Sequence, residues 1–217
     1  MKYVENIQQV AALQPDYLGF IFYEKSKRNF DGTIPELPES IKKIGVFVNA
    51  TVDEVVRKVN QYDLQAVQLH GDETVGYIKE LKDAFRQAEL VSASHHKISK
   101  QIRNDIEIIK VFGIKESFNF NILKPYENVV DYFLFDTKGK ERGGNGITFN
   151  WKVLEKYNSI KPFFLSGGIG LQQIKEIEKI RKTELPIYAL DINSQFEIEA
   201  GLKSVENIKN FKETLKL

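Results

Sequence analysis

An aspartate at the end of an apolar segment is the first residue whose type and position suggest chemistry. Asp136 closes the run YFLFD, which spans Tyr132 to Asp136. A carboxyl group there is expected to be partly desolvated, which raises its pKa and suits a proton donor. The alternative is that Asp136 caps the following loop or pairs with a lysine such as Lys138. Position alone leaves both interpretations open.

Two polar loops that follow apolar runs are candidates for binding an anion. Gly167 and Gly168 stand between the run PFFLS and an amphipathic segment. Glycines there let backbone N–H groups approach an anion, and a helix N-terminus adds favourable potential. Asn193 and Ser194 follow the next run, IYALDI, and supply further donors. The pair of loops favours phosphate binding over simple turn chemistry.

Three other polar positions have both a functional and an ordinary explanation. Arg28, in the polar loop EKSKR, could hold a substrate carboxylate through two hydrogen bonds or be a solvated surface charge. His70 could contact a ligand or only stabilise the loop that begins at Gly71. His95 and His96 are adjacent in a polar stretch, so their side chains diverge and no metal site is expected.

The most glycine-dense segment of the chain follows Asp136. It is the run GGNG, Gly143 to Gly146. This composition predicts a flexible loop, which either closes over the site to exclude water or only connects two elements.

Composition excludes several classes of protein. The 217 residues are 42% hydrophobic, which is enough for a packed core, and Lys and Arg total 31 against 30 Asp and Glu. This balance argues against nucleic acid as a partner. No apolar run is long enough to span a membrane and no signal peptide is evident, so a cytoplasmic protein is expected. The absence of cysteine excludes disulfides, thiolate metal sites and a cysteine nucleophile from the printed chain.

The elements that position these residues alternate between strand and helix. Seven near-continuous apolar runs are typical of strands buried on both faces of a parallel sheet. The runs are Tyr17 to Tyr23, Ile44 to Val48, Ala66 to His70, Ile106 to Phe112, Tyr132 to Asp136, Pro162 to Ser166 and Ile187 to Ile192. Amphipathic segments predict helices at Val4 to Leu13, Val52 to Gln61, Thr74 to Phe85, Trp151 to Tyr157, Leu171 to Arg181 and Val205 to Leu215.

This order predicts an α/β fold with one domain over residues 1–217. Repeated βα units form either an open doubly wound sheet or a closed (β/α)8 barrel, and the phosphate loops favour the TIM barrel. The chain begins with a helix-like segment at Val4 rather than a strand. The expected barrel therefore has seven strands in the printed chain, with the first β-strand of the fold absent.

Six stretches together resemble the phosphoribosylanthranilate isomerase family. They are GFIFYEKSKR (Gly19 to Arg28), GVFVN (Gly45 to Asn49), AVQLHGDE (Ala66 to Glu73), LFDTK with GGNGITFNW (Leu134 to Trp151), FLSGGI (Phe164 to Ile169) and DINSQFE (Asp191 to Glu197). They cover almost the whole chain in the family's order, and AVQLHGDE with FDTK is a specific combination.

The resemblance implies an Amadori rearrangement in tryptophan biosynthesis without a cofactor or metal. The furanose ring of N-(5-phosphoribosyl)anthranilate opens, a proton leaves C2, and the enol becomes an aminodeoxyribulose phosphate. The family's general acid matches Asp136, and the arginine beside the anthranilate carboxylate matches Arg28. The loops that receive the phosphate match Gly167, Gly168 and Ser194.

The sequence departs from the family pattern at several positions. Asn145, Ile147 and Gln195 replace the family's usual Thr, Lys and Gly. The more serious departure is that the resemblance implies a cysteine general base at the end of the first strand, and the printed chain has no cysteine. For this chain we therefore expect phosphate-ligand binding with turnover reduced by roughly 10²–10⁴-fold. The missing strand is explained either by a start that lies upstream or by a seven-stranded remnant, and the first explanation is favoured.

Two alternatives to this activity stay open from the sequence. One is another phosphate-binding barrel enzyme, such as an epimerase or indoleglycerol-phosphate synthase. The other is a non-catalytic barrel that binds a phosphorylated metabolite.

Overall fold

The structure is a computed structural model in which a parallel sheet is flanked by helices. It describes residues 1–94, 106–115, 117–137 and 151–217. The sheet strands are β1 (Tyr17–Phe22), β2 (Lys42–Phe47), β3 (Ala66–Leu69), β4 (Glu107–Ile114), β5 (Tyr132–Thr137), β6 (Phe163–Ser166) and β7 (Ile187–Leu190). The α-helices are α1 (Val4–Ala11), α2 (Val52–Tyr62), α3 (Val75–Ser94), α4 (Ile174–Ile180) and α5 (Val205–Leu215).

Short elements complete the described part of the chain. A hairpin joins β8 (Glu197–Glu199) to β9 (Leu202–Lys203). The 3-10 helices are Phe120–Tyr126, Trp151–Lys156, Leu171–Gln173 and Ser194–Phe196. The segment predicted as a helix from Trp151 is thus 3-10, and the one predicted from Leu171 becomes α-helical only at Ile174.

The strands of the sheet pair in chain order. All pairs from β1–β2 to β6–β7 are parallel. A doubly wound sheet reverses its strand order at a switch point, whereas a barrel wall does not, so the order is that of a barrel. The two outer strands approach each other near their amino ends, where the hydroxyls of Tyr17 and Tyr188 are 3.3 Å apart. The sheet is therefore curled, and all strand carboxyl ends lie on one rim.

Alternation along each strand divides the apolar side chains between two sides of the curled sheet. Phe133 and Phe135 are fully buried in the large cluster that includes the helices. Leu134, between them, belongs to a smaller inner cluster with Phe164. The same period of two places the next inner position of β5 at Asp136, where the strand reaches the rim.

Polar caps fix the start of two helices. The Thr51 hydroxyl accepts a hydrogen bond from the Glu54 N–H at the start of α2. The Ser204 hydroxyl does the same for Asn207 at the start of α5. Each cap satisfies an N–H group that has no partner inside the helix.

None of the helices in the described part of the chain combines the length and apolar character needed to cross a membrane.

Candidate active site

Four polar side chains meet at the carboxyl ends of β3, β5, β6 and β7. Asp136 is aligned with Ser166 in the register of β5 and β6. The Ser166 hydroxyl donates a hydrogen bond to Asp191, just after β7, with 2.8 Å between the two oxygens. On the other side, His70 Nε2 is 3.8 Å from Asp136 Oδ2. The barrel wall thus brings together residues that are far apart in the chain.

The imidazole of His70 presents a particular nitrogen to Asp136. The Gln68 side-chain amide nitrogen lies 3.3 Å from His70 Nδ1. Because an amide nitrogen can only donate, Nδ1 accepts and the neutral ring carries its proton on Nε2. That N–H faces the Asp136 carboxyl group. The side chains of His70 and Asp136 are 36% and 20% exposed, so a ligand can reach both.

Asp191 is a carboxyl group of the rim to which the sequence analysis gives no role. Burial raises its pKa, although the Ser166 hydrogen bond and the charge of Lys203 oppose this shift. The charge of Asp136 raises the Asp191 pKa further. The Asp191 carboxyl group is therefore harder to ionise than an exposed aspartate.

Arg28 is held by a carboxylate on the β8–β9 hairpin. Its Nε lies 2.9 Å from Glu197 Oε2 and 3.0 Å from Oε1, and Nη2 also donates to Oε2. The Arg28 side chain is 31% exposed, whereas Glu197 is 4% exposed. The guanidinium is therefore fixed on one side and accessible on another.

Lys203 is a buried cation beside this pair. Its Nζ lies 3.0 Å from Glu197 Oε1. Burial raises the pKa of Glu197, but the Arg28 hydrogen bond and the charge of Lys203 outweigh it and bring the pKa down to about 2. Burial also lowers the pKa of Lys203, against the attraction of Glu197. The cluster therefore places two cations around one buried carboxylate.

The two expected phosphate loops follow adjacent strands. Gly167 and Gly168 have φ angles of 84° and 68° after β6, in the left-handed region that glycine adopts without a Cβ penalty. A Cβ atom on Gly168 would meet no atom within 4 Å, so its backbone borders open space. Asn193 and Ser194 follow β7 and are exposed. The α-helical N-terminus expected here is displaced, because α4 begins after a 3-10 turn.

A buried ion pair supports the loop that carries His70. Lys110 Nζ lies 3.1 Å from Glu73 Oε2 and 2.7 Å from the Gly71 carbonyl oxygen. The Glu73 carboxylate accepts hydrogen bonds from the N–H groups of Gly71 and Asn49. Neither residue is assigned a role from the sequence, although a lysine inside the apolar run Ile106 to Phe112 is a usable signal of a buried charge.

Several residues discussed from the sequence have no described position in the structure. Lys138, His95, His96 and the run Gly143 to Gly146 lie outside the described residues. Within the described ranges, no group of three or more acidic, histidine or cysteine side chains could hold a metal ion.

Comparison with known proteins identifies one family. A family model described as N-(5'phosphoribosyl)anthranilate (PRA) isomerase matches residues 1–95 and 90–214. The N-(5'-phosphoribosyl)anthranilate isomerase of Parabacteroides distasonis is 38% identical over 218 residues, covering 97% of this chain and 88% of the relative.

Solved structures agree with this match. The phosphoribosyl anthranilate isomerase of Thermotoga maritima is 27% identical, with a TM-score of 0.72 over 100% of this chain and 95% of that chain. A second solved structure shares the fold. It is 24% identical, with a TM-score of 0.70 over 99% of this chain and 94% of that chain. It is described as a complex with reduced 1-(o-carboxyphenylamino)-1-deoxyribulose 5-phosphate. The barrel fold and the resemblance seen in the sequence are confirmed, and the chain belongs to the N-(5'-phosphoribosyl)anthranilate isomerase family.

Proposed function

We propose that this chain is an isomerase that converts N-(5-phosphoribosyl)anthranilate to 1-(2-carboxyphenylamino)-1-deoxyribulose 5-phosphate in tryptophan biosynthesis. The observation that carries the proposal is the position of Asp136. It stands at the open rim facing His70, in a barrel of this family. Arg28 and the two phosphate loops are polar elements of the same rim.

Asp136 acts as the general acid that opens the sugar ring. Its proton passes to the ring oxygen while the bond between that oxygen and C1 breaks and the anilino nitrogen forms a double bond to C1. A positioned acid assists such a step because the leaving oxygen gains charge in the transition state. The carboxylate left behind faces His70 Nε2, 3.8 Å away. His70 also contacts the substrate.

Removal of the C2 proton then gives an enol that tautomerises to the ketose. This step needs a base, and the proposal assigns only the acid. Every atom of the substrate is kept, so the net reaction needs no oxidant and no second substrate.

The two ends of the substrate carry negative charges that the rim can bind. Arg28 receives the anthranilate carboxylate, because a guanidinium matches a carboxylate with two hydrogen bonds. Gly167, Gly168, Asn193 and Ser194 receive the phosphate. The bound ligand of the solved relative has both a carboxyphenyl group and a 5-phosphate, which supports a phosphorylated substrate of this kind.

A cytoplasmic location stays a prediction from the sequence. Fractionation of cells that contain the protein, with markers for the membrane and the cytoplasm, tests it. Recovery with the membrane marker would contradict the prediction.

The function is tested by complementation. A bacterial strain without phosphoribosylanthranilate isomerase cannot make tryptophan. Because turnover is expected to be reduced, we expect the chain to restore slow growth without added tryptophan when it is produced at a high level. Asp136→Asn, produced at the same level, is expected not to restore growth. Growth with Asp136→Asn, or no growth with abundant folded wild-type protein, would contradict the proposal.

A further inference from the structure

We propose that Lys203 is a positioning residue that couples the carboxylate site at Arg28 to the phosphate loop at Asn193. The inference deepens the proposed function and rests on its assignment of the two subsites. It concerns a residue to which the sequence analysis gives no role.

The ammonium group of Lys203 contacts both the phosphate loop and the carboxylate that holds Arg28. Lys203 Nζ donates to Asn193 Oδ1 at 2.6 Å and to the Asn193 carbonyl oxygen at 3.1 Å. The same Nζ is 3.0 Å from Glu197 Oε1. Because Glu197 holds Arg28, Lys203 connects the two anion-binding elements through a single atom.

Glu197 fixes the orientation of Arg28. The guanidinium and the carboxylate lie side by side, with Nε and Nη2 both donating. Glu197 also accepts from the Gly201 N–H, at 3.1 Å. A carboxylate held by Lys203, Gly201 and Arg28 cannot rotate freely. Movement of Lys203 would therefore move Arg28.

Lys203 itself is rigidly placed. Its backbone N–H donates to Asn6 Oδ1 at 2.7 Å, and the Asn6 side-chain amide donates back to the Lys203 carbonyl at 2.8 Å. Asn6 is buried in α1. The Lys203 side chain is 8% exposed, so its charge depends on the oxygens around it. The hairpin is thus anchored to the first helix rather than free at the rim.

The consequence is a fixed spacing between the two places that receive negative charge. A substrate with a carboxylate at one end and a phosphate at the other would bind both sites without reorganising them. Pre-organisation of this kind lowers the entropic cost of binding. A lysine that only stabilises the hairpin would contribute to unfolding free energy but not to binding at both sites.

The test uses two small probes titrated separately into the folded full chain, inorganic phosphate and anthranilate. We expect Lys203→Met to weaken the binding of both probes by at least about fivefold. Arg28→Lys is expected to weaken anthranilate only, and Ser194→Ala phosphate only. Lys209→Met, at an exposed lysine of α5, is the control and should change neither affinity.

Two further variants cover the case in which Lys203→Met does not fold. Glu197→Gln removes the carboxylate between Lys203 and Arg28, and we expect it to weaken phosphate binding as well as anthranilate binding. Asn193→Ala removes the 2.6 Å contact, and we expect it to weaken anthranilate binding. A merely structural role of Lys203 would not weaken phosphate binding in Glu197→Gln or anthranilate binding in Asn193→Ala.

The inference is overturned if folded Lys203→Met weakens the binding of only one probe or of neither. If Lys203→Met does not fold, the same result in folded Glu197→Gln and Asn193→Ala overturns it. It is also overturned if the wild-type chain binds neither probe, since there would be no subsites to couple. Turnover of N-(5-phosphoribosyl)anthranilate by the wild-type chain is measured alongside. If the variants lose the binding of both probes but the wild-type chain shows no turnover, the coupling is supported and the proposed function is contradicted.

Discussion

Glu73 and Lys110 form an ion pair whose side chains are 2% and 4% exposed, with 3.1 Å between Oε2 and Nζ. The carboxylate also accepts N–H groups from the loops after β2 and β3, and the ammonium donates to the Gly71 carbonyl. The pair therefore connects the loops at the ends of β2 and β3 to the middle of β4, behind His70. The ion pair lies buried beneath the site and stabilises the loops that carry it, and it does not form part of the site's surface.

Removing one member of this pair is expected to cost stability. Lys110→Met leaves a buried carboxylate without its cation, and such changes lower the free energy of unfolding by about 3–5 kcal/mol. Urea unfolding followed by circular dichroism measures the loss. Arg86→Met breaks the exposed pair with Asp83 on α3 and should change stability by less than about 1 kcal/mol. Equal losses of unfolding free energy in Lys110→Met and Arg86→Met would contradict the claim that the buried pair contributes more than the exposed one.

A methyl group on Gly71 is expected to distort the same loop. Its Cβ would lie 2.2 Å from Asn49 Oδ1 and 2.7 Å from the Asn49 backbone nitrogen. Gly71→Ala should therefore lower the free energy of unfolding by about 1–3 kcal/mol. Gly76→Ala, in α3, is the matched control, because its nearest neighbour would be 3.6 Å away. The control should keep or raise the melting temperature, and a similar fall in both variants would contradict the prediction.

The pH dependence of stability should reveal the Glu197 cluster. The Glu197 pKa is lowered from 4.5 to about 2 on folding, so the folded state favours the ionised carboxylate. The resulting stabilisation is fully present above about pH 5 and is lost as the pH falls towards 2. The difference in unfolding free energy between wild type and Glu197→Gln should shrink over this window. A difference that stays constant from pH 6 to 3 would contradict the assignment. Glu178→Gln, at an exposed position of α4, is the control.

The sequence predicts the strands and the position of Asp136 at the rim because both follow from local pattern. Near-continuous apolar runs identify the seven strands of the parallel sheet, and the alternation Phe133, Leu134, Phe135 already implies which way Asp136 faces. The glycines after β6 are likewise visible as a local signature. These features depend on neighbours within a few residues.

The partners of the rim residues are not local and could not be predicted in the same way. Arg28 and Glu197 are separated by 169 positions, and Ser166 and Asp191 by 25. Lys203 lies on a two-residue strand whose role depends on Asn6, 197 positions away. Such pairings are set by how the barrel wall curls, which composition and periodicity do not specify. The 3-10 geometry at Trp151 is missed because spacings of three and four fit both kinds of helix.

The most direct test of the account is the reaction itself, followed by ¹³C NMR with N-(5-phosphoribosyl)anthranilate as substrate. The account predicts that the wild-type chain converts the sugar C2 from an alcohol carbon to a ketone carbon faster than the uncatalysed rate. Asp136→Asn, with an unchanged circular dichroism spectrum, should slow this conversion by at least about 10²-fold or to the uncatalysed rate. Equal rates for wild type and Asp136→Asn, or no ketone above the uncatalysed level with folded wild-type protein, would contradict it.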